Sequence, residues 1–391
     1  MKVLFHHRTR GEHVEGVHIR GVVGALRELG HEVEVLSFPG ADPEREPGAA
    51  APQAPPRRGL LPRLVTRLPG VLFELAELAW NAVTWWRVAG RLRRARPDFI
   101  YERYALFLFA TVWLARRRGV PVILEINDSA VVERVRPLYL KRLACRIERW
   151  TLANATGLVH ISSRFKATLE AAHGALAPGV VSPNAVDGRF DPSRFDREAL
   201  RTARGLAGRV VCGHVGVFAH WHGVAGFVRA MIDRLHEAPD LVLLLVGDGR
   251  ELPAVREEVR GRGLQDRILL PGRVPHAQVP EWLACMDYGV LPDSNEYGSP
   301  MKLFEQMAMG VAVVAPDYDP VAEVIREGVT GWLFPRGDLA ACVDRVLALA
   351  GRDEERRRVG AAAQAYITAE RQWRNNALQL LSLLPEGGRS G

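Results

Sequence analysis

Leu241-Val242-Leu243-Leu244-Leu245-Val246-Gly247-Asp248-Gly249 is the stretch from which the fold is read. Its six apolar residues show no alternation with polar ones, so neither side of such a strand meets water. That is the pattern of a strand inside a parallel sheet. Gly-Asp-Gly then breaks the strand, and a helix is expected over 251–260. Upstream, residues 210–215 form another apolar strand, which a Gly-rich loop joins to a helix over 224–236. Downstream, strands are expected near Ile268, at 288–291 and at 311–315, with a helix over 301–309 and a helical end to the chain.

The first half repeats the alternation. Strands are expected at 2–6, 32–37, 99–101, 122–126 and 157–161, and helices at 17–30, 105–118, 138–153 and 164–172. Gly11 and Gly16 bracket a loop after the first strand. Repeated strand–helix units imply parallel sheets covered by helices on both faces. The fold class is therefore α/β: two doubly wound, Rossmann-like domains facing a central cleft, with ligand at the carboxyl ends of their strands. The expected domains are 1–190 and 208–370, with 371–391 a helix packing back towards the first. Residues 41–62, with six prolines, read as a flexible excursion.

Composition narrows the class. The 391 residues are 48% hydrophobic and 25% charged, the balance of a globular protein. The longest apolar run, 104–115, is far short of the ~20 residues a membrane span needs. Cys145, Cys212, Cys285 and Cys342 are too dispersed for a CxxC motif and fit a reducing cytoplasm. Residues 57–96 carry nine arginines against Glu74 and Glu77, which equals the +7 excess of the whole chain. So local an excess argues against a nucleic-acid partner. Leu72, Leu75, Ala79, Val83 and Trp86 recur there at helical spacing, with Trp80 and Trp85 off the stripe. Two readings stand: a helix resting on an anionic membrane surface at the inner face of the membrane, or a core helix with a solvated basic end.

The densest chemical signal is Tyr297-Gly298-Ser299-Pro300-Met301-Lys302-Leu303-Phe304-Glu305. Ser299 suits a helix cap and Pro300 the first helical position. Lys302 then stands where a capping box would place Glu or Gln. A cation in the first turn opposes the helix dipole at a cost of about 0.3–1 kcal/mol, which points to use of the lysine. With the amides of Gly298 and Ser299 it would form a phosphate or diphosphate site. Glu305, one turn on, could accept hydrogen bonds from sugar hydroxyls. The bland alternative is a Lys302–Glu305 surface pair.

Residues 298–310, followed by Val311-Ala312-Val313-Val314-Ala315, resemble the nucleotide-sugar site of glycosyltransferase family 4, whose members are retaining enzymes of the GT-B fold. Val246-Gly247-Asp248-Gly249 resembles its donor-domain glycine turn, and Pro183-Asn184-Ala185-Val186-Asp187 its interdomain signature. Residues 328–334 resemble its Gly-x-x-Gly-x-Leu lead-in, and Glu15-Gly16-Val17-His18 stands at its acceptor loop. The resemblance implies transfer of a sugar from a nucleoside-diphosphate sugar to a hydroxyl acceptor, a lipid-linked glycan or a small metabolite, with no metal cofactor. It places donor contacts at Gly216, Gly247, Asp248, Arg273, Val274, Gly298, Ser299, Pro300 and Met301, and the catalytic candidates are Lys302, Glu305, His222, Glu125 and Asn127. Acceptor contacts fall on Gly16, His18 and Arg134.

The chain also departs from that family. Its Arg and Lys that neutralise the departing diphosphate are missing from Gly216-Val217-Phe218-Ala219-His220-Trp221-His222-Gly223, where His222 takes the lysine's place. Trp-His-Gly together with Ser-Pro-x-Lys marks a subset of the family. The acceptor-side histidine is absent as well, leaving Glu125 and Asn127 as the polar groups at that strand end. Three other functions keep a place beside transfer: a pseudo-glycosyltransferase, a nucleotide-sugar epimerase and a silent nucleotide-binding scaffold. Asp317-Tyr318-Asp319 reads as a loop despite its DxD spacing, and His214, His220 and His222 lack a fourth ligand for zinc.

Overall fold

A computed structural model of the protein describes residues 1–9, 14–37, 70–132 and 137–385. The chain divides into two compact units, Met1–Pro183 with Trp373–Gly391, and Asn184–Gln372. Residues 184–190, which the sequence reading puts in the first domain, and 191–207, which it leaves between the two, thus belong to the second unit. The 41–62 excursion, Arg134 and the arginines between 57 and 67 lie outside the described residues.

The first unit holds strands β1 (Lys2–His7), β2 (Glu32–Ser37), β3 (Phe99–Arg103), β4 (Val122–Ile126), β5 (Gly157–His160) and β6 (Gly179–Val181). They form a parallel sheet in the order β2-β1-β3-β4-β5-β6. The second unit holds β7 (Val210–Val215), β8 (Leu241–Val246), β9 (Ile268–Gly272), β10 (Tyr288–Val290), β11 (Val313–Pro316) and β12 (Trp332–Phe334). Their order is β12-β11-β10-β7-β8-β9, also parallel. Strand order reverses between β1 and β3 in one sheet and between β7 and β10 in the other, and ligand crevices form at such reversals. All six residues of β8 are buried, which explains its unbroken apolar sequence.

Three helix starts differ from the sequence reading. The first helix runs Val14–Glu28, so Gly16 is a buried residue of its first turn instead of a loop glycine. The helix expected from residue 105 begins at Ala110. Phe107 sits in the left-handed region (φ 64°), which no helix can pass through. Asn81, from the Gly70–Arg94 helix, holds this corner. Its Oδ1 accepts from the Phe109 and Ala110 amides, both at 3.0 Å, and its Nδ2 donates to the Phe107 carbonyl at 2.8 Å. Glu74 does similar work one stretch on, accepting from the Tyr139 and Leu140 amides at 2.7 and 2.6 Å, and the helix read from 138 begins at Lys141.

A buried carboxylate organises the far side of this unit. Glu148 accepts from the Tyr104 hydroxyl at 3.2 Å, the Ser129 hydroxyl at 2.9 Å and the Ala130 amide at 3.1 Å, and meets His173 Nε2 at 2.7 Å. Later in the chain, the Trp373–Leu381 helix lies on Val14–Glu28. A Cβ on Gly21 would come 2.3 Å from the Trp373 ring, so the contact depends on glycine there.

Truncating Asn81 would orphan two amides and a carbonyl in the interior, each worth about 1–3 kcal/mol. Asn81→Ala should therefore lower stability by roughly 3 kcal/mol or more, read as an earlier urea midpoint. An unchanged midpoint would show that water replaces the side chain.

Candidate functional site

At the β7/β10 reversal, imidazoles and an ammonium converge. His214, the fifth residue of β7, is fully buried, and its Nδ1–H donates to the Val290 carbonyl of β10 at 3.0 Å. That bond leaves Nε2 as a lone-pair acceptor, and it has no hydrogen-bond partner among the described residues. Lys302, from the Met301–Ala308 helix, points its Nζ at His222 Nδ1, 3.4 Å away. A Cβ on Gly216 would lie 3.0 Å from both His214 Nε2 and Lys302 Nζ, so glycine leaves room for both groups. The loops that follow β7 and β8 are laced backbone to backbone. The Gly216 amide donates to the Val246 carbonyl at 2.9 Å and the Phe218 amide to the Asp248 carbonyl at 2.8 Å. Gly247 takes φ 148°, and a side chain there would strike the Gly216 carbonyl oxygen at 1.8 Å.

Burial sets the charges. It pushes His214 down to about 3, helped by the nearby Lys302 and His222. His222 falls to about 4 through burial and then Lys302. Both imidazoles are neutral at pH 7. Burial also lowers Lys302, to about 8, against a smaller upward pull from Glu305. The part-exposed lysine is thus the cation of the cluster at neutral pH, and it has no ion-pair partner among the described residues.

The helix start corrects the sequence reading. Ser299 does not cap it. Pro300 occupies the cap position without a side-chain bond, and the Ser299 hydroxyl instead accepts from the Asn184 amide at 3.0 Å. Asn184 Nδ2 also donates to the Ser299 carbonyl at 2.6 Å. The Gly298 amide is not free either, because it donates to the Asn295 side-chain oxygen in its own loop. Lys302 itself stays in the first turn, and the Pro-Asn-Ala-Val-Asp signature proves to be the clamp on that loop.

Glu305 is buried, and its Oε1 lies 2.8 Å from His276 Nε2. It does not pair directly with Lys302, which removes the surface-pair alternative. His276 had no role in the sequence reading; it follows Arg273 and Val274 in the loop after β9 and could have been found only from that register. Arg273, in the loop after β9, and Asp248, in the loop after β8, are both exposed, and Val274 next to Arg273 is half-buried. Asp317 is exposed, while Tyr318 donates to Asp293 Oδ1 at 3.1 Å. A cavity of about 440 Å³ lined by Arg204, Arg256, Arg260 and Trp282 lies apart from this cluster.

The first unit has its own polar centre at the strand ends beside the β1/β3 reversal. Glu125 is buried near the end of β4; it accepts from the Tyr101 hydroxyl at 3.0 Å and from Asn127 Nδ2 at 2.9 Å, and is ion-paired with Arg103. His18 Nδ1 lies 3.3 Å from Glu125, and its ring meets Trp373 edge-on at 4.7 Å. Burial alone would raise the Glu125 carboxyl, but His18, Arg103 and the two hydrogen bonds outweigh it and hold it below its ordinary value. Burial drives His18 down to about 4 in spite of Glu125. Of this pair, Glu125 carries the charge at pH 7, because Arg103 remains to balance it when His18 is neutral. The structure thus gathers Glu125, Asn127 and His18, adding Tyr101 and Arg103, which sequence reasoning passed over; Gly16 is in the helix that carries His18.

Residues 209–352 match the family Glycosyl transferases group 1, and residues 15–185 match the Glycosyl transferase 4-like domain. The chain is 31% identical over 347 residues to 2-deoxystreptamine N-acetyl-D-glucosaminyltransferase of Streptomyces fradiae, covering 85% of this chain and 80% of that one. The chain belongs to the group 1 glycosyltransferases. A second relative, 2-deoxystreptamine glucosyltransferase of Streptomyces kanamyceticus, is 29% identical over 83% of this chain and 87% of its own length. HepE of Anabaena in complex with UDP superposes with a TM-score of 0.70 at 18% identity, over 98% of this chain and 100% of that one. A glycosyltransferase of Rickettsia africae gives a TM-score of 0.73 at 15% identity, covering 98% and 99%. The fold of this glycosyltransferase is GT-B.

Unfolded, Lys302 would titrate near its ordinary value of 10.5; folded, near 8. Between those values the unfolded chain binds more protons, so this group makes stability rise with pH across that window. Lys302→Met should flatten the rise relative to the wild type, as measured by urea denaturation at about pH 7 and about pH 9.5. Parallel pH profiles for the two proteins would show that the lysine is not desolvated.

Proposed function

We propose that this glycosyltransferase is a retaining, metal-independent enzyme of family 4, of the subset with Trp-His-Gly and Ser-Pro-x-Lys motifs. It moves a sugar from a nucleoside-diphosphate sugar to a hydroxyl of a ring polyol. One observation carries the reading: Lys302 is a partly desolvated cation with no carboxylate within ion-pair distance among the described residues, set among two neutral imidazoles at the strand-order reversal. A diphosphate supplies the missing negative charge. Burying a charge is tolerable when it is paired, so the donor restores a balance that the free protein lacks.

Glu305, positioned by His276, takes the ribose or sugar hydroxyls. Gly216, Gly247 and Asp248 bring loop backbone up to the donor, and Arg273 and Val274 border the base. Gly298, Ser299, Pro300 and Met301 shape the approach to the diphosphate rather than donating their amides to it. As the bond from C1 to the diphosphate breaks, negative charge grows on the leaving oxygen, and stabilising it supplies most of the rate. The acceptor hydroxyl attacks C1 on the face the diphosphate leaves, and its proton passes to the departing phosphate oxygen. His222 thus stands in for the absent lysine as a neighbour of the cation, not as a second charge.

We assign the acceptor to the first unit, with Glu125, Asn127 and His18 around it. The names of the two Streptomyces relatives give 2-deoxystreptamine as what they act on, and a ring polyol of that kind is the acceptor class we favour. Uridine is the base we favour, because HepE is seen with UDP.

Lys302→Ala should lower kcat by about 10-fold or more and Glu305→Ala should raise the donor's Kd, with each melting temperature within a few degrees of wild type. Unchanged kinetics in both would remove the donor site from this cluster. Activity should survive EDTA; a Mn²⁺ or Mg²⁺ requirement lost in Asp317→Ala or Asp319→Ala would overturn metal independence. Nucleotide release that needs acceptor, with the product's anomeric proton showing the donor's configuration, separates a retaining transferase from an epimerase or a silent scaffold.

A further inference from the structure

The Gly70–Arg94 helix packs apolar residues inward at its end, where Val88, Ala89 and Leu92 are buried, but buries polar ones before it. Its interior-facing residues include Glu74, Asn81 and Thr84, whereas Leu72, Leu75 and Trp86 are 49%, 45% and 69% exposed. Leu72, Leu75, Ala79, Ala82 and Trp86 follow one another at intervals of three and four residues, and all are exposed, so they form a single outward stripe. The polar face is buried for identifiable reasons: Glu74 and Asn81 hold the starts of two neighbouring helices. Among the described residues, neither core nor cap accounts for the apolar stripe.

Charge decides what covers it. Both acidic residues of the helix are engaged elsewhere, Glu74 with amides and Glu77 with Arg8 at 3.0 Å. Towards the end of the stripe stand exposed Arg93 and Arg94. The Lys141–Asn154 helix continues the character, with Arg142, Leu143, Arg146 and Trp150 exposed and its one acid, Glu148, buried. Its neighbour Tyr139, also exposed, packs against Gly70. An apolar, Trp-bearing stripe flanked by cations and, among the described residues of these two helices, free of outward acids complements an anionic lipid surface, where apolar burial and headgroup attraction add.

We propose that the outward stripe of the Gly70–Arg94 helix docks the enzyme on an anionic lipid bilayer. The helix lies along the surface; no described helix is long and apolar enough to cross it. Docking is independent of the donor assignment, since none of these residues lies in the second unit.

The full chain is sedimented with vesicles of phosphatidylcholine containing phosphatidylglycerol, and with phosphatidylcholine alone. It should pellet with the first and not the second, and about 0.5 M salt should release most of it, because screening shortens to a few Å. Leu72→Ser/Leu75→Ser/Trp86→Ser should weaken vesicle binding about 10-fold or more, and Arg93→Glu/Arg94→Glu should do likewise, with thermal melt and UDP-sugar affinity unchanged. Wild-type protein that ignores anionic vesicles at low salt overturns the proposal. So does a triple serine variant that still pellets like wild type. If the wild type forms a dimer that the triple variant dissolves, and neither binds vesicles, the stripe is a contact between copies of the chain and the lipid assignment fails.

Discussion

Parallel pairing constrains everything else in this molecule. A parallel strand can be joined to its neighbour only by a crossover, so helices must cover the sheet faces and every strand must end at the same edge. The two six-stranded sheets therefore deliver their chemistry to one rim each. In one unit that rim receives Glu125, Asn127 and Arg103; in the other it receives the loop after β7 and the helix after β10, which bring His222 and Lys302 together. The laced glycine loops fix that second rim. With backbone against backbone, the Gly216 and Gly247 segments cannot shift without breaking bonds at 2.8–2.9 Å.

The two rims treat charge differently. In the first unit two buried carboxylates are well partnered: Glu148 has hydroxyls, an amide and an imidazole, and Glu125 has Arg103, Tyr101 and Asn127, whereas Glu102, paired with His6, keeps one oxygen without a partner among the described residues. Such satisfied centres hold geometry. In the second unit Lys302 and His214 are left short of partners among the described residues, which is an expensive arrangement to keep unless something else supplies them. The contrast is between a carboxylate balanced within its own unit and a cation that is not.

The architecture was readable because burial on both faces writes itself into strands as unbroken apolar runs, as in 241–246. Lys302 was readable because a cation in a helix's first turn violates a local rule. What could not be read was who partners whom across distance. Ser299 has every local mark of a cap, yet Asn184, 115 residues away, takes its hydroxyl. Residues 105–109 look helical, but Asn81 pins the amides that follow and Phe107 turns the chain. The apolar stripe of 72–86 has the right period, while the face it occupies depends on what Glu74 and Asn81 must cap. Periodicity gives a stripe; only tertiary hydrogen bonds say which way it points.

The contact between Trp373 and Gly21 bears on how the chain is made. The first unit is discontinuous: its sheet is complete by residue 181, but the Trp373–Leu381 helix that seals His18 and Gly21 is translated after the entire second unit. On a ribosome, the second unit can therefore close before the first one does. Until residue 373 emerges, the Val14–Glu28 helix lacks the ring that packs on His18 and Gly21. A helix made late in synthesis thus completes the burial of a residue made long before it.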